Sequence, residues 1–478
     1  MYIGLDLGTS GLKGLLIDAD QRLVAETMAP LEVSRPAPAW SEQDPGDWLR
    51  AAQAVMAALK ASHDLSAVRA IGLSGQMHGA TLLGADDAPL RPCILWNDTR
   101  SAAEAAEMDA DPKWRRITGN IVFPGFTAPK LVWTKQHEPE VFAATARVLL
   151  PKDYLRLWLT GEAVGEMSDA AGTGWLDTGA RAWSDDLLAA TKLSRSHMPR
   201  LVEGSEPSGT LRKALADDWG MSADVIVAGG GGDNAASAVG AGVVRAGEAF
   251  VSLGTSGVLF AASEAYQPEP ATAVHTFCHA LPETWHQMGV ILAAADALSW
   301  YGHLVGRTPA ELTGTLSDLQ APGRTVFLPY LGGERTPYND AAIRGSFTHL
   351  DHATDQAAAT RAVLEGVAFA FRDSLDALKA TGTRIDRLIA LGGGSQSVYW
   401  LKAIATALDM SIDVPEAGDF GGAFGAARLA MMADGAGTDI ALAPPMSHCV
   451  APEAALVPDF AEGHARYTAT YQALKDLP

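Results

Sequence analysis

A five-residue run, Leu-Gly-Thr-Ser-Gly, occurs twice in this 478-residue chain, at positions 7–11 and 253–257, and divides it into two related halves. Each copy lies between apolar runs, residues 2–6 and 12–17 in the first half and 249–252 and 258–262 in the second. The pattern predicts strand, tight turn, strand: a β-hairpin. Glycines let successive backbone N–H groups converge in such a turn, and Thr and Ser add hydroxyl donors, giving a small concavity suited to anionic oxygens. Two of them can hold a polyphosphate from two sides. A pair of ordinary hairpins in a chain with 48 glycines is the competing reading.

A chain of this length exceeds what one core supports, so two or more domains are expected. Its 36 Lys and Arg stand against 56 Asp and Glu, a net charge of −20. That balance argues against nucleic acid or an anionic membrane as partner, because both call for a basic face. An anionic ligand would need local N–H groups, a metal ion, or a placed Lys or Arg. Cys93, Cys278 and Cys449 are widely spaced and suggest neither a disulfide framework nor a zinc site. The opening strand, with Asp6 inside it, is not expected to be a signal peptide, and no apolar run reaches membrane-span length. The expected location is the cytoplasm.

Along the first half, a third strand over 23–28 precedes a helix opened by Asp44-Pro45-Gly46-Asp47, with Asp44 as cap. Trp48, Leu49, Ala52, Val55, Met56 and Leu59 give that helix one apolar stripe. Strands over 68–73, 80–83 and 93–96 run into polar loops at 74–79 and 97–100, and residues 111–201 read as mainly helical. Polar residues at strand ends are where α/β sheets place ligands. After an apolar run at 225–228 comes Gly229-Gly230-Gly231-Gly232-Asp233-Asn234 and an Ala-rich helix, the seam between the halves. The second half then carries strands over 286–291, 325–328 and 387–391 and helices over 293–304, 355–378 and 398–408. With no low-complexity linker, two lobes hinged around a cleft are expected.

Gly8 to Gly14 is neither a Walker A nor a Rossmann loop, since both need a helix where an apolar strand follows Lys13. Asp6 sits among apolar neighbours, where an unpaired carboxylate is costly, and reads either as satisfied by nearby N–H groups or as a carboxylate orienting Mg²⁺ beside Gly8, Thr9, Ser10 and Lys13. Asp233 reads as a helix cap or, given four glycines that clear space around it, as a catalytic base with Asn234 as a polyol ligand. His78, Trp96 and the Asp98–Arg100 pair each have a bland reading as a structural histidine, a core aromatic and a solvated pair. Together with Gln76 and Met77 they have the composition of a sugar site. Gly392-Gly393-Gly394, beside Gly254, Thr255 and Ser256, reads as a nucleotide-binding turn or as a tight turn into a helix.

These runs, with Trp40 to Pro45, Pro124 to Leu131, Pro151-Lys152-Asp153-Tyr154 and Gly333-Glu334-Arg335-Thr336-Pro337, resemble the FGGY carbohydrate kinases over nearly the whole chain. The resemblance implies an α/β, two-lobed, actin-like (ribonuclease H-like) ATPase fold with a central cleft. A sugar-binding lobe would span 1–244 and a nucleotide-binding lobe 245–478. It implies ATP and Mg²⁺, Asp233 as the base, Asp6 at the metal, and Gln76, Met77, His78, Trp96, Asp98 and Asn234 around the sugar. The two hairpins and Gly393-Gly394 would hold the nucleotide. The expected acceptor is D-xylulose, with ribulose, glycerol or an alditol as alternatives, and the expected assembly a homodimer. Departures from the family pattern are His349 where Gly is usual, Thr134 where an apolar residue is usual, and the fourth glycine, Gly229.

Overall fold

The computed structural model describes residues 1–416 and 420–477. Among them the predicted hairpins form, Tyr2–Leu7 with Gly11–Ile17 and Gly247–Leu253 with Gly257–Ser263, both antiparallel. In the first lobe the sheet order is Pro207–Thr210, Ile226–Ala228, Ala70–Gly75, Tyr2–Leu7, Gly11–Ile17, Leu23–Pro30. In the second it is Met446–Val450, Ile412–Pro415, Ile385–Leu391, Gly247–Leu253, Gly257–Ser263, Trp285–Ile291, His275–Cys278. Both sheets therefore run a parallel strand, the hairpin's first strand, its second strand and a further antiparallel strand in the same sequence. The repeat seen in five residues is a repeat of topology.

Alternation along Tyr2–Leu7 decides what each face of the first sheet meets. Ile3, Leu5 and Leu7 join Trp48, Ala52, Val55 and Met56 of the helix Pro45–Ser62 in one core. Asp44 caps that helix, its carboxylate accepting from the Gly46 N–H. Tyr2, Gly4 and Asp6 face the other way, and there the helix Gly422–Ala433, from near the chain's end, crosses against the sheet and against Asp233–Ala241. Contact is backbone to backbone: a Cβ added at Gly4 would fall 1.8 Å from the Ala423 carbonyl oxygen, and one at Gly72 1.8 Å from that of Ala426.

A second core fills the second lobe around the helix Gln356–Ala380, and a third lies between the lobes, where Phe250, Phe260 and Phe277 meet Met77, Phe126 and Trp175. The predicted strands at 80–83 and 93–96 do not join the main sheet. They form short ribbons, Thr81–Leu83 with Arg147–Leu149 and Cys93–Ile94 with Glu42–Gln43. The departures from family pattern have local explanations. His349 sits at φ 58°, a left-handed conformation that favours glycine, and buried Thr134 donates its hydroxyl to the Lys130 carbonyl.

Candidate active site

The four glycines before Asp233 carry the chain from the strand Ile226–Ala228 back beside Ala70–Gly75, which Gly231–Gly232 pairs in parallel. Asp233 thus opens the helix Asp233–Ala241 at the sheet's carboxyl end. Its Oδ1 accepts from the Asn234 N–H at 2.7 Å and from Asn234 Nδ2 at 3.0 Å. Burial and the nearby charge of Asp6 push its carboxyl up to about 6, against the pull of those two bonds. A carboxylate near that value is ionised at neutral pH and basic enough to take a proton.

Behind the glycines lies a fully buried ionic cluster. Lys152 Nζ meets Asp153 at 2.8 Å, Glu166 at 3.1 Å and Asp169 at 2.9 Å, and Arg156 meets Asp153 at 2.6 Å. Arg156 also donates to the Gly229 carbonyl, and Ser168, whose hydroxyl donates to Glu166, accepts from the Gly232 N–H at 3.0 Å. Both ends of the glycine run are therefore pinned. Sequence reasoning quoted Lys152 and Asp153 in a motif without assigning this role; the signal was three charges among apolar residues at 152–156.

Asp6 accepts from the Ser74 hydroxyl at 2.8 Å, Ser74 being its partner on the parallel strand. Lys13, opposite Asp6 in register, forms an ion pair with Glu26 at 2.6 Å. The Gly8 N–H closes the first turn onto the Gly11 carbonyl, and Ser10 is exposed at the tip. Thr9 donates its hydroxyl to Gln76 Oε1 and accepts from Trp96 Nε1, both at 3.0 Å. The Gln76 amide donates to Gln43 at 2.9 Å, and Gln43 donates to the Thr9 carbonyl at 2.7 Å. Gln76 is thus a buried tie beside the hairpin, while Trp96, 46% exposed, is not a core aromatic.

Met77 packs against Gly232, and both Met77 and His78 fill the space a side chain at Gly172 would need. His78 Nδ1 donates to the Gly172 carbonyl at 2.6 Å, which leaves Nε2 as an acceptor on a ring that burial holds neutral, its pKa lowered to about 3. Lys130 Nζ, fully buried, donates to the carbonyls of His78 at 2.8 Å and Gly125 at 2.7 Å. Asp98 is fully buried and not a solvated partner: its oxygens accept from the Ser41 N–H and from Arg100, which also meets Glu42 at 2.7 Å and lies 3.6 Å over the Trp40 ring. Asp6 thus lies near Asp233, Met77 lies against Gly232 beside Asp233 and shares the space at Gly172 with His78, and Trp96 is tied to Thr9, while Gln76 and Asp98 are buried.

Across the cleft, the Gly254 and Thr255 carbonyls accept from the backbone N–H groups of Ala295, Ala294 and Asp296, leaving Thr255 exposed. Gly393 and Gly394 start a short helical turn after Ile385–Leu391. They line a cavity of about 690 Å³ with Leu298, Gln396, Tyr399 and Trp400. A neighbouring cavity of about 740 Å³ is lined by Asn234, Ser252 and Gly392 and shares Gly393 and Gln396 with the first. The two cavities thus adjoin at Gly393 and Gln396, the second reaching Asn234 beside Asp233 and the first reaching Gly394.

Family models for the N-terminal and C-terminal domains of the FGGY carbohydrate kinases match residues 1–240 and 249–433. The chain belongs to the FGGY family of carbohydrate kinases. A xylulose kinase of Escherichia coli (strain K12) is 50% identical over 436 residues, 91% of this chain and 90% of that protein. A crystal structure of a "xyloylose kinase" from Brucella ovis superposes with a TM-score of 0.99 at 62% identity, covering 100% of both chains. That of a xylulose kinase from Rhodospirillum rubrum gives 0.91 at 30% identity over 99% of this chain and 98% of that one. As an FGGY kinase the chain has ATP as its phosphoryl donor. Among the described residues no helix is long and apolar enough to cross a membrane.

Proposed function

We propose that this kinase transfers the γ-phosphoryl group of ATP to the terminal hydroxyl of D-xylulose, giving D-xylulose 5-phosphate and ADP. The names of the relatives in E. coli and R. rubrum support the sugar. The observation that carries the chemistry is Asp233, a carboxylate held at about 6 beside Asn234, which lines the cavity adjoining Gly393. It takes the proton of the attacking hydroxyl, and Asn234 fixes its orientation through two bonds to Oδ1.

His78 Nε2, acceptor-only, receives a sugar hydroxyl, Met77 packs on the carbon chain, and the Trp96 ring covers it. Gln76 and Asp98 act from behind, holding Thr9, Trp96 and the 97–100 loop in place. The sugar lobe is 1–244 and the nucleotide lobe 245–478, with the helix Gly422–Ala433 returning to the first. Adenine and ribose occupy the 690 Å³ cavity beside Gly393 and Gly394, and the phosphates reach the hairpins at Gly8–Ser10 and Gly254–Ser256.

Among the described residues no group of three or more His, Cys, Asp or Glu is placed to hold a metal by itself. A nucleotide-borne Mg²⁺ needs one or two carboxylates besides the phosphates, and Asp6, held by Ser74 near Asp233, fits that donor set. When bound, the ion neutralises charge developing on the transferred group. Asp6 then serves alignment, since phosphoryl transfer depends mainly on in-line positioning.

ADP release is measured with Mg²⁺ and ATP across ketoses and polyols, for wild type and Asp233→Asn. D-xylulose is expected to give the largest stimulation, abolished in the variant. Stimulation by ribulose, glycerol or an alditol above that of D-xylulose would reassign the sugar, and near-normal turnover of the variant would remove Asp233 as base.

A further inference from the structure

The segment Gly333-Glu334-Arg335-Thr336-Pro337 takes no part in the nucleotide cavities or in the pinning of Asp233, yet it is anchored firmly. Glu334 folds back so that Oε1 accepts from the N–H groups of Leu292 at 3.1 Å and Arg335 at 2.7 Å. Thr336 donates its N–H to the Val290 carbonyl at 3.1 Å and accepts the Val290 N–H on its hydroxyl at 3.0 Å. That hydroxyl also donates to the Ala273 carbonyl at 3.2 Å. The loop is thereby fixed on both sides of Arg335, to Val290 of the strand Trp285–Ile291 and to Leu292 just after it.

The Arg335 side chain itself has almost nothing to bond. It lies 3.8 Å over the ring of Phe123, which belongs to the other lobe. Among the described residues its one polar side-chain contact is His275 Nε2 at 3.5 Å, and it forms no ion pair. Burial pushes Glu334 up to about 8 and Arg335 down to about 10, so at neutral pH the guanidinium is charged and its neighbour is held neutral. Half-buried, the Arg335 guanidinium keeps donors that no protein acceptor takes among the described residues, and they are open to the acceptors of a ligand. A rigid mount for such a group points to a ligand that brings them.

The wall of the sugar site leads to it. Met77 lies against Gly232 beside Asp233, Met77 and His78 share the space at Gly172, His78 stacks on Phe126 at 4.9 Å, and Phe126 meets Phe123 at 5.6 Å. Arg335 covers the far end of that row. We propose that Arg335 is a specificity-determining residue which donates to the oxygens at the end of the open-chain ketose remote from the transferred hydroxyl, the C2 carbonyl and the adjoining C1 hydroxyl. A carbonyl only accepts, and His78 Nε2 only accepts, so His78 cannot read it; the planar guanidinium, with donors alone, can span two adjacent oxygens. The assignment rests on the ketose-kinase reading above and adds the lobe-crossing contact that tells a ketose from its alditol.

The test uses the full chain as wild type, Arg335→Met and Arg335→Lys. D-xylulose binding is read by calorimetry, and kcat and KM are measured for D-xylulose, for D-arabitol, which lacks the carbonyl, and for ATP. Sugar-independent ATP hydrolysis and melting temperature complete the set. Arg335→Met is expected to weaken D-xylulose about 10- to 100-fold, to weaken D-arabitol, whose C1 and C2 hydroxyls also accept, by clearly less than D-xylulose, and to change ATP binding and sugar-independent hydrolysis less than about threefold. Arg335→Lys, which keeps the charge but loses the fork, is expected to recover part of the ketose preference and guards against misfolding of the Met variant. Unchanged D-xylulose binding in both variants overturns the assignment. So does equal loss for ketose and alditol with a lowered melting temperature, which would make Arg335 a clamp on Phe123. A wild type that binds no ketose removes the underlying reading as well, whereas a wild type that binds and variants that bind equally remove this proposal alone.

Discussion

The two Leu-Gly-Thr-Ser-Gly hairpins share sequence, pairing and sheet position, yet their tips are held in opposite ways. Around the first, side chains do the holding: Gln76 and Trp96 share the Thr9 hydroxyl, and Gln43 bonds the Thr9 carbonyl. Around the second, backbone does it, through N–H groups at the start of the helix Ala295–Val305, and Thr255 stays exposed. The same turn is a fixed part of the wall in one lobe and a free set of donors in the other. That division suits the proposed chemistry, in which Asp6 beside the first turn is to be aligned and phosphates entering against the second are to meet open hydrogen-bonding groups.

The largest expected effect tests whether chemistry belongs to the fixed side. Asp233→Asn should lower kcat about 10²- to 10⁴-fold with ATP binding unchanged. In the wild type the base works only when ionised, so kcat/KM for the sugar should fall as pH drops through about 6 and level off above it. A rate that keeps this acid limb in the variant would assign it to another group.

Next comes the frame behind the first hairpin. Asp98→Asn leaves Arg100 short of its partner in a buried network and should cost about 3–5 kcal/mol in urea unfolding. A loss within surface range, below about 0.5 kcal/mol, would mean the network is solvated in solution. Smaller is Thr9→Val, which strands the buried Gln76 carbonyl and should cost about 1–3 kcal/mol with a lower kcat. Smallest in stability is Thr255→Val, expected within about 0.5 kcal/mol of wild type while KM for ATP rises. Equal stability losses at Thr9 and Thr255 would break the contrast between the hairpins.

Local chemistry was legible in the sequence. Turn residues marked both hairpins, the helix 398–408 matches Val398–Leu408, and four glycines flagged Asp233. What escaped was everything set by distant partners. Nothing in Asp98 and Arg100 alone says that Glu42 and Trp40 close over them, turning a pair that reads as solvated into a buried lattice. Gln76 reads as a ligand because its neighbours are; only Gln43, 33 residues away, shows that its amide is already bonded. The short ribbons at 81–83 and 93–94 likewise read as sheet strands, since an apolar run does not reveal its partner.

The helix Gly422–Ala433, seated on Gly4 and Gly72, also bears on biosynthesis. A ribosome working from the amino terminus exposes the first sheet long before the residues that cover its second face exist. The emerging amino-terminal half must wait, with one side of its central strands bare, until the last quarter of the polypeptide is made. Severing the gene at the seam between the halves would therefore not yield a self-sufficient first lobe, because its finishing piece is encoded at the other end.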